Sequence, residues 1–190
     1  DKLVATMQET VDERSYGYDQ DLLQRNKLAA AILFTSQGAV LTQAGEEFGR
    51  TKHGDENSFR SPIAINQLDW ERARMFKELH SFYQGMWQLR QYYAPLRDAT
   101  TRTAEAIQFI ETNNENVIAY IVPNNGFPDT WQSLAVLANS SDDDYILNLE
   151  EFKQEDWQIV ADNSGAGLES RGSIGGEVSL SSKSLLILAR

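Results

Sequence analysis

The chain has 190 residues, 41% of them hydrophobic and 24% charged, a balance that suits a globular protein with a sizeable buried core. A formal net charge of −11, with no basic stripe anywhere in the sequence, argues against binding to a phosphate backbone, so nucleic acid is not an expected partner. There is no cysteine, hence neither a disulfide frame nor a thiolate metal site. No run approaches the roughly 20 apolar residues of a membrane span.

In chain order, the opening DKLVATMQETVDERS lacks the layout of a signal peptide, lacks an initiator methionine and begins partway through a helical pattern. The chain is therefore expected to be cut from something longer. From Asp19 to Ser36 the apolar positions Leu22, Leu23, Leu28, Ala29, Ile32 and Leu33 recur at helical spacing, with Asp19 or Asp21 as a cap and Gly38 as a stop. Ala39, Val40 and Leu41 then form a short apolar run that reads as a buried strand of a parallel sheet.

A long polar stretch follows, Gln43 to Trp70, crowded with charge, amide and aromatic groups. A loop so polar between two hydrophobic elements is where function usually resides. Asp69 can cap a helix starting at Trp70. Phe76, Leu79, Tyr83, Met86 and Leu89 carry that helix forward for about 25 residues, until Pro95 opposes it. Helix, strand, loop, helix is an α/β unit with its polar loop beyond the carboxyl end of the strand, where barrel and open-sheet enzymes keep their chemistry.

Beyond Thr100 the period changes to two. Strands are expected at Val117 to Val122, Leu134 to Ala138, Tyr145 to Leu149, Gln158 to Ala161, Glu177 to Leu180 and Leu185 to Leu188, separated by the turn-rich segments NNGFPD, NSSDDD and DNSGAG. A small antiparallel β-sandwich is the natural reading. The fold class is thus α/β plus all-β, divided into residues 1–98 and 99–190. One strand and three helices cannot close a barrel, so the front part needs partner strands from elsewhere.

Several side chains in the loop are chemically suggestive. Glu46 and Glu47 follow the strand, but neighbours on an extended segment point to opposite faces, which does not suit the paired carboxyl groups of a retaining glycosidase. Bonding to loop amides or to Arg50 is the favoured role. Asn57, flanked by Asp55, Glu56, Ser58 and Phe59, has the amide, carboxylate and aromatic mixture that holds sugar hydroxyls and a pyranose face; an Asx turn in a solvated acidic loop fits the same spacing equally. His53 and His80 lack the convergent donors of a metal site. Asp142, Asp143 and Asp144 lack the glycine and glutamate spacing of a calcium loop and read as a solvated turn. Trp70 and Trp87 read as core or interface residues, and Trp131 as packing between sheets or as an exposed platform.

The strings GEEFGRTKHGDENSF and INQLDW closely resemble the segment after the final barrel strand of pullulanase-type debranching enzymes in glycoside hydrolase family 13. RNKLAAAILFTSQGAVLTQAG looks like the preceding helix and last strand, and the resemblance extends through the small C-terminal β domain, covering nearly the whole chain. Ser58 and Phe59, with Asn66 to Trp70, favour pullulanases over isoamylases and glycogen debranching relatives. The resemblance implies the last βα segment of a (β/α)8 TIM barrel followed by a β-sandwich, and a parent enzyme that hydrolyses α-1,6 linkages of pullulan, amylopectin or glycogen with retention.

The family's three catalytic carboxylates lie on earlier strands and match nothing here, so the isolated chain is expected to be inactive. Asn57 matches a position that contacts glucose on the non-reducing side of the cut, a place where relatives often carry aspartate. Arg50, Asp55 and Ser58 are implied as supports of that substrate-binding loop. No cofactor or metal is implied. The expected partners are branched α-glucans, including maltooligosaccharides, and the remainder of the parent polypeptide. The expected location is the exterior or surface of a Gram-positive bacterium, some relatives being cytoplasmic. A reading from another class is a noncatalytic glycan-binding or surface-display module in which the tryptophans of the β domain do the binding.

Overall fold

The computed structural model describes residues 19–128, 131–148 and 157–190. The helical pattern expected before Asp19, and Leu149 at the end of an expected strand, lie outside these residues.

Helix α1 (Gln20–Thr35) starts where Asp19 Oδ1 accepts the Leu22 N–H at 3.0 Å. This is the side-chain cap that an exposed first turn requires. Its buried face is Leu22, Leu23, Asn26, Lys27, Ala30, Ala31, Phe34 and Thr35, whereas the expected Leu28, Ala29, Ile32 and Leu33 are only half-buried. The helix is apolar on more than one side, so periodicity alone did not choose the face. At its carboxyl end the buried Arg90 donates to the carbonyls of Phe34 and Ser36 at 2.7 Å each and also to that of Gly38. One guanidinium thus serves acceptors that a helix terminus leaves without intrahelical donors.

The strand expected at Ala39, Val40 and Leu41 does not form: this segment carries no ladder, and Leu41 is 92% exposed. A strand exists only by pairing its N–H and C=O groups with a neighbour, and none lies beside this one among the described residues. The expected 25-residue helix is also divided. Short helix α2 (Ile63–Asn66) precedes α3 (Trp70–Met75), which Asp69 caps by accepting the Glu71 N–H at 3.0 Å, and α4 (Lys77–Tyr92) follows after a break at Phe76. Phe76 adopts φ −100°, ψ 33°, outside the helical well, while its ring is buried in the core. Helix α5 (Thr101–Ala104) is held by Asp98, which accepts from the backbone and hydroxyl groups of both Thr100 and Thr103.

Nine strands follow among the described residues: β1 (Gln108–Ile110), β2 (Val117–Pro123), β3 (Ser133–Asn139), β4 (Tyr145–Asn148), β5 (Trp157–Asp162), β6 (Gly165–Ala166), β7 (Ser173–Ile174), β8 (Glu177–Leu180) and β9 (Ser184–Ala189). All six expected strands appear, with β1, β6 and β7 in addition. One sheet runs β1-β2-β3-β9-β5-β6, with β7 also on β5, and the other is the β4-β8 pair; every pairing is antiparallel. Val117, Ala119, Ile121, Leu137 and Leu188 of the large sheet pack against Leu147, Val178 and Leu180 of the small one, with the fully buried Trp157 among them. The antiparallel sandwich is thereby present, though one of its sheets has two strands among the described residues.

The opposite face of the large sheet is covered by helices over its centre, while Phe109 and Ile118 toward its β1 edge stay exposed. Tyr120, Val122, Leu134, Val136 and Ile187 share a continuous core with Leu23, Ala30 and Phe34 of α1 and Leu79, Phe82, Met86 and Leu89 of α4. Each such buried large side chain contributes about 1.5–3 kcal/mol relative to exposure. This double coverage explains why β9 is buried at every position, not at alternate ones. Buried polar bonds fix the register between the layers: Thr35 Oγ1 to Tyr120 OH at 2.8 Å, Tyr93 OH donating to Val122 O at 2.8 Å, and Tyr83 OH donating to Asn26 Oδ1 at 2.9 Å. Burial raises the Tyr83 hydroxyl well above the usual phenol range.

Gly85 marks the closest approach between α4 and β6. A Cβ there would lie nearer than 3.0 Å to the carbonyl carbon and oxygen of Ala166 and 2.9 Å from its Cβ. Only glycine permits this contact.

Candidate functional site

The polar stretch is an ordered loop with its own internal bonding. Its first turn is a 3₁₀ segment, Glu46–Phe48, between Gly45 and Gly49, both at positive φ. Glu46 accepts the Gln43 N–H and Glu47 accepts the Gly45 N–H, each at 3.0 Å. Both carboxylates therefore bond loop amides, one of the two roles the sequence suggested, while Arg50 bonds backbone carbonyls. Phe48 is buried in the helical core, and the buried Arg72 donates from Nε to the Gly49 carbonyl at 2.8 Å, so the turn is bolted to α3.

Arg50 reaches across the loop, donating to Ala44 O at 3.0 Å and to Asn66 O at 2.8 Å. Asn66 is the hub of the second half. Its Nδ2 donates to the carbonyls of Ser58 (2.7 Å) and Ser61 (3.2 Å), and its Oδ1 accepts the Ser58 hydroxyl at 2.9 Å. Lys52 Nζ donates to the same Ser58 oxygen at 2.6 Å. Ser58 is buried, so this network is shielded from competing water.

The tip differs from the base. Asp55 Oδ1 accepts the Asn57 N–H at 3.0 Å and Asp55 Oδ2 accepts the Ser61 hydroxyl, which forms an Asx turn at Asp55. The Asn57 side chain is exposed, as are His53, Gly54, Glu56 and Phe59. His53 sits at φ 53° followed by Gly54 at φ 82°, a tight left-handed bend. The structure thus brings Arg50 and Ser58 together through Asn66 in the base of the loop, and sets Asp55 and Asn57 in one turn at its tip. Sequence reasoning did not single out Asn66, Lys52 or Arg72. An amide inside the otherwise apolar IAIN turn is the one cue that pointed to the hub.

The tryptophans separate clearly. Trp70 is 67% exposed and lies tilted on Phe48 at 5.7 Å between ring centres; Trp87 is half-exposed, edge-on to Phe34. Trp131 does not lie between the sheets. It is half-buried against Tyr92 (4.7 Å) and Tyr93 (6.2 Å), on the side of the helical core. The sheet-to-sheet core holds Trp157 instead, with the Arg190 guanidinium 4.8 Å above its ring. The aspartate turn bonds to the turn between β8 and β9: Asp142 pairs with Lys183 at 2.7 Å and Asp144 accepts the Ser182 N–H at 2.9 Å. Among the described residues no group of three or more His, Cys, Asp or Glu side chains is placed to hold a metal, and no helix is long and apolar enough to cross a membrane.

Comparison with known proteins agrees with this geometry. Residues 104–165 match the family described as "Pullulanase, all-beta domain". A pullulanase of Bacillus subtilis (strain 168) is 38% identical over 122 residues, 63% of this chain and 17% of that protein. A glycogen debranching enzyme of Enterobacter sp. (strain 638) is 34% identical over 79 residues, 40% of this chain and 12% of that protein. Among solved structures, a pullulanase from Bacillus acidopullulyticus superposes with a TM-score of 0.88 at 30% identity, over 100% of this chain and 23% of its own. The type I pullulanase of B. subtilis str. 168, complexed with maltose, superposes with a TM-score of 0.81 at 29% identity, over 90% of this chain and 24% of its own.

The β-sheet domain, with the helices that share its core, is thus of the kind found in debranching glycoside hydrolases. Within that class the resemblance is to pullulanases, with residues 104–165 similar to their all-beta domain. It spans less than a quarter of the length of these relatives.

Proposed function

We propose that this chain is the carboxyl-terminal part of a pullulanase-type enzyme whose parent polypeptide hydrolyses α-1,6-glucosidic linkages in pullulan, amylopectin or glycogen with retention. In this reading residues 1–98 complete a (β/α)8 barrel and residues 99–190 form the β-sandwich that covers it. One observation supports the proposal: the apolar segment before the loop has no ladder partner among the described residues and presents Leu41 at 92% exposure, as a barrel strand without its neighbours would. Exposed Ile63, Phe59 and Trp70 after it support a surface meant to be covered.

Retaining hydrolysis requires two carboxyl groups about 5 Å apart, one protonating the leaving oxygen and the other attacking the anomeric carbon. Glu46 and Glu47 are committed to loop amides, and the parent supplies the pair. The role left to this chain is positioning. Asn57 meets a glucose unit at the loop tip, Asp55 holds the turn that presents it, and Arg50 and Ser58 keep the base rigid through Asn66. An exposed amide offers both a donor and an acceptor to adjacent sugar hydroxyls. The extracellular side or the surface of a Gram-positive bacterium is the proposed location of the parent.

A pullulan assay tests this. The chain alone releases no reducing sugar, and adding the amino-terminal portion restores release. In the restored enzyme Asn57→Ala raises KM for branched oligosaccharides without changing thermal stability. Pullulan cleavage by the chain alone, or an unaltered KM in Asn57→Ala, overturns the reading.

A further inference from the structure

We propose that the cleft between α4 and the β5–β6 turn is a second glucan-binding site, on the outside of the molecule and separate from the substrate loop. The ligand class, a neutral α-glucan segment, rests on the debranching reading; the existence of a site rests on the cleft itself.

The cleft measures about 600 Å³, within the roughly 300–1,000 Å³ of small-molecule sites. Met75, Glu78, Ser81 and Phe82 line it from the helical side, and Ser164 and Arg171 from the hairpin side; none of its lining residues belongs to the loop between Gln43 and Ser61. Its two principal charged groups are each anchored from behind. Arg171 is 3.3 Å from Asp162 Oδ1 and donates to the Ser164 hydroxyl at 2.6 Å. The guanidinium also lies against Gly165, where a Cβ would stand 3.1 Å from two of its nitrogens.

Glu78 is held by Lys27, a lysine only 1% exposed whose ammonium also donates to Asn163 O at 2.7 Å. The turn from Asp162 to Gly165 therefore fixes both groups, which lowers the ordering cost of binding. Each anchored side chain keeps part of its surface open: 34% for Arg171 and 46% for Glu78.

The charges choose the ligand. Glu78 is paired with Lys27 and Arg171 with Asp162, which leaves Lys77 as a single excess positive charge at the cleft, too small a field to select a polyanion. A guanidinium on the hairpin wall and a carboxylate on the helical wall, with the Ser81 hydroxyl also lining the cleft, offer both donors and acceptors to a chain of hydroxyls. The half-exposed Met75 gives apolar ground for a pyranose face.

The test uses the full-length parent polypeptide, native gels containing glycogen, and calorimetric titration with maltotetraose. Ser81→Trp fills the cleft from an exposed helix position, and Arg171→Ala removes the guanidinium. Both are expected to reduce glycogen retardation and maltotetraose affinity at least fivefold while kcat on a short branched oligosaccharide matches the wild type. Retardation and affinity equal to wild type in both variants overturn the proposal, as does a parallel loss of kcat, which assigns the effect to the substrate loop. A parent that fails to cleave pullulan, yet is retarded less as Ser81→Trp, overturns the debranching reading while supporting the cleft.

Discussion

Replacing Gly85 with alanine opposes two effects of known sign. Alanine is favoured over glycine in a helix interior by about 1 kcal/mol, so α4 considered alone becomes more stable. Against this, the new Cβ falls closer than 3.0 Å to the carbonyl of Ala166, a backbone group that cannot rotate aside. Clearing the overlap requires the β5–β6 turn to retreat by roughly 1 Å, and overpacking of this kind costs about 1–3 kcal/mol. The upper end applies because the turn is also held by Lys27 and by the β5 pairing with β9.

The net expectation for Gly85→Ala is a loss of about 2 kcal/mol, or about 4–8 °C in Tm for a chain of this size. Thermal unfolding followed by circular dichroism measures it. A Tm at or above that of the native protein means that helix propensity acts alone, and it refutes the close approach of α4 to β6.

Further expectations rest on separate contacts. Arg90→Met leaves three carbonyls without their donor and is expected to cost about 3 kcal/mol by urea denaturation. Arg90→Lys restores little, because an ammonium lacks the planar fork that spans them. Hydrogen bonds from Thr103 and Thr100 hold the Asp98 carboxyl down to about 2, below the ordinary aspartate value of about 3.9. Its contribution is therefore full above pH 4 and disappears as pH falls through 2, and Asp98→Asn should flatten the pH dependence of stability in that window. Glu78→Ala leaves the buried Lys27 ammonium without its carboxylate and is expected to destabilise by about 2 kcal/mol. Lys27→Met, which removes the buried charge, should cost less in the same denaturation series.

The strands were legible because period two survives wherever one face is wet: β8 reads exposed, buried, exposed, buried along Glu177–Leu180. β3 and β9 were legible for a different reason, as continuous apolar runs buried on both faces. β6 and β7 have two residues each, too short to leave a pattern, and their pairing is set by β5. The break at Phe76 carries no glycine or proline to announce it. Ala39 to Leu41 read as a strand because composition reports what a segment suits, whereas pairing depends on what lies beside it.

In the loop, the roles of Glu46 and Glu47 followed from their adjacency. The hub at Asn66 did not, since its partners at Ser58 and Ser61 meet it only after the chain has doubled back. The sequence left Asn57 open between a turn and a ligand contact. Asp55 makes the turn, and the Asn57 side chain stays at the surface.

The core shared by α1, α4 and the large sheet bears on any attempt to exchange modules between relatives. Grafting residues 99–190 alone onto another scaffold would strip the cover from Val122, Leu134, Val136 and Ile187 and hand them to foreign helices. A viable chimera must carry α1 and α4 along with the sandwich, so the practical seam for recombination lies upstream of Asp19 and not at the midpoint of the chain.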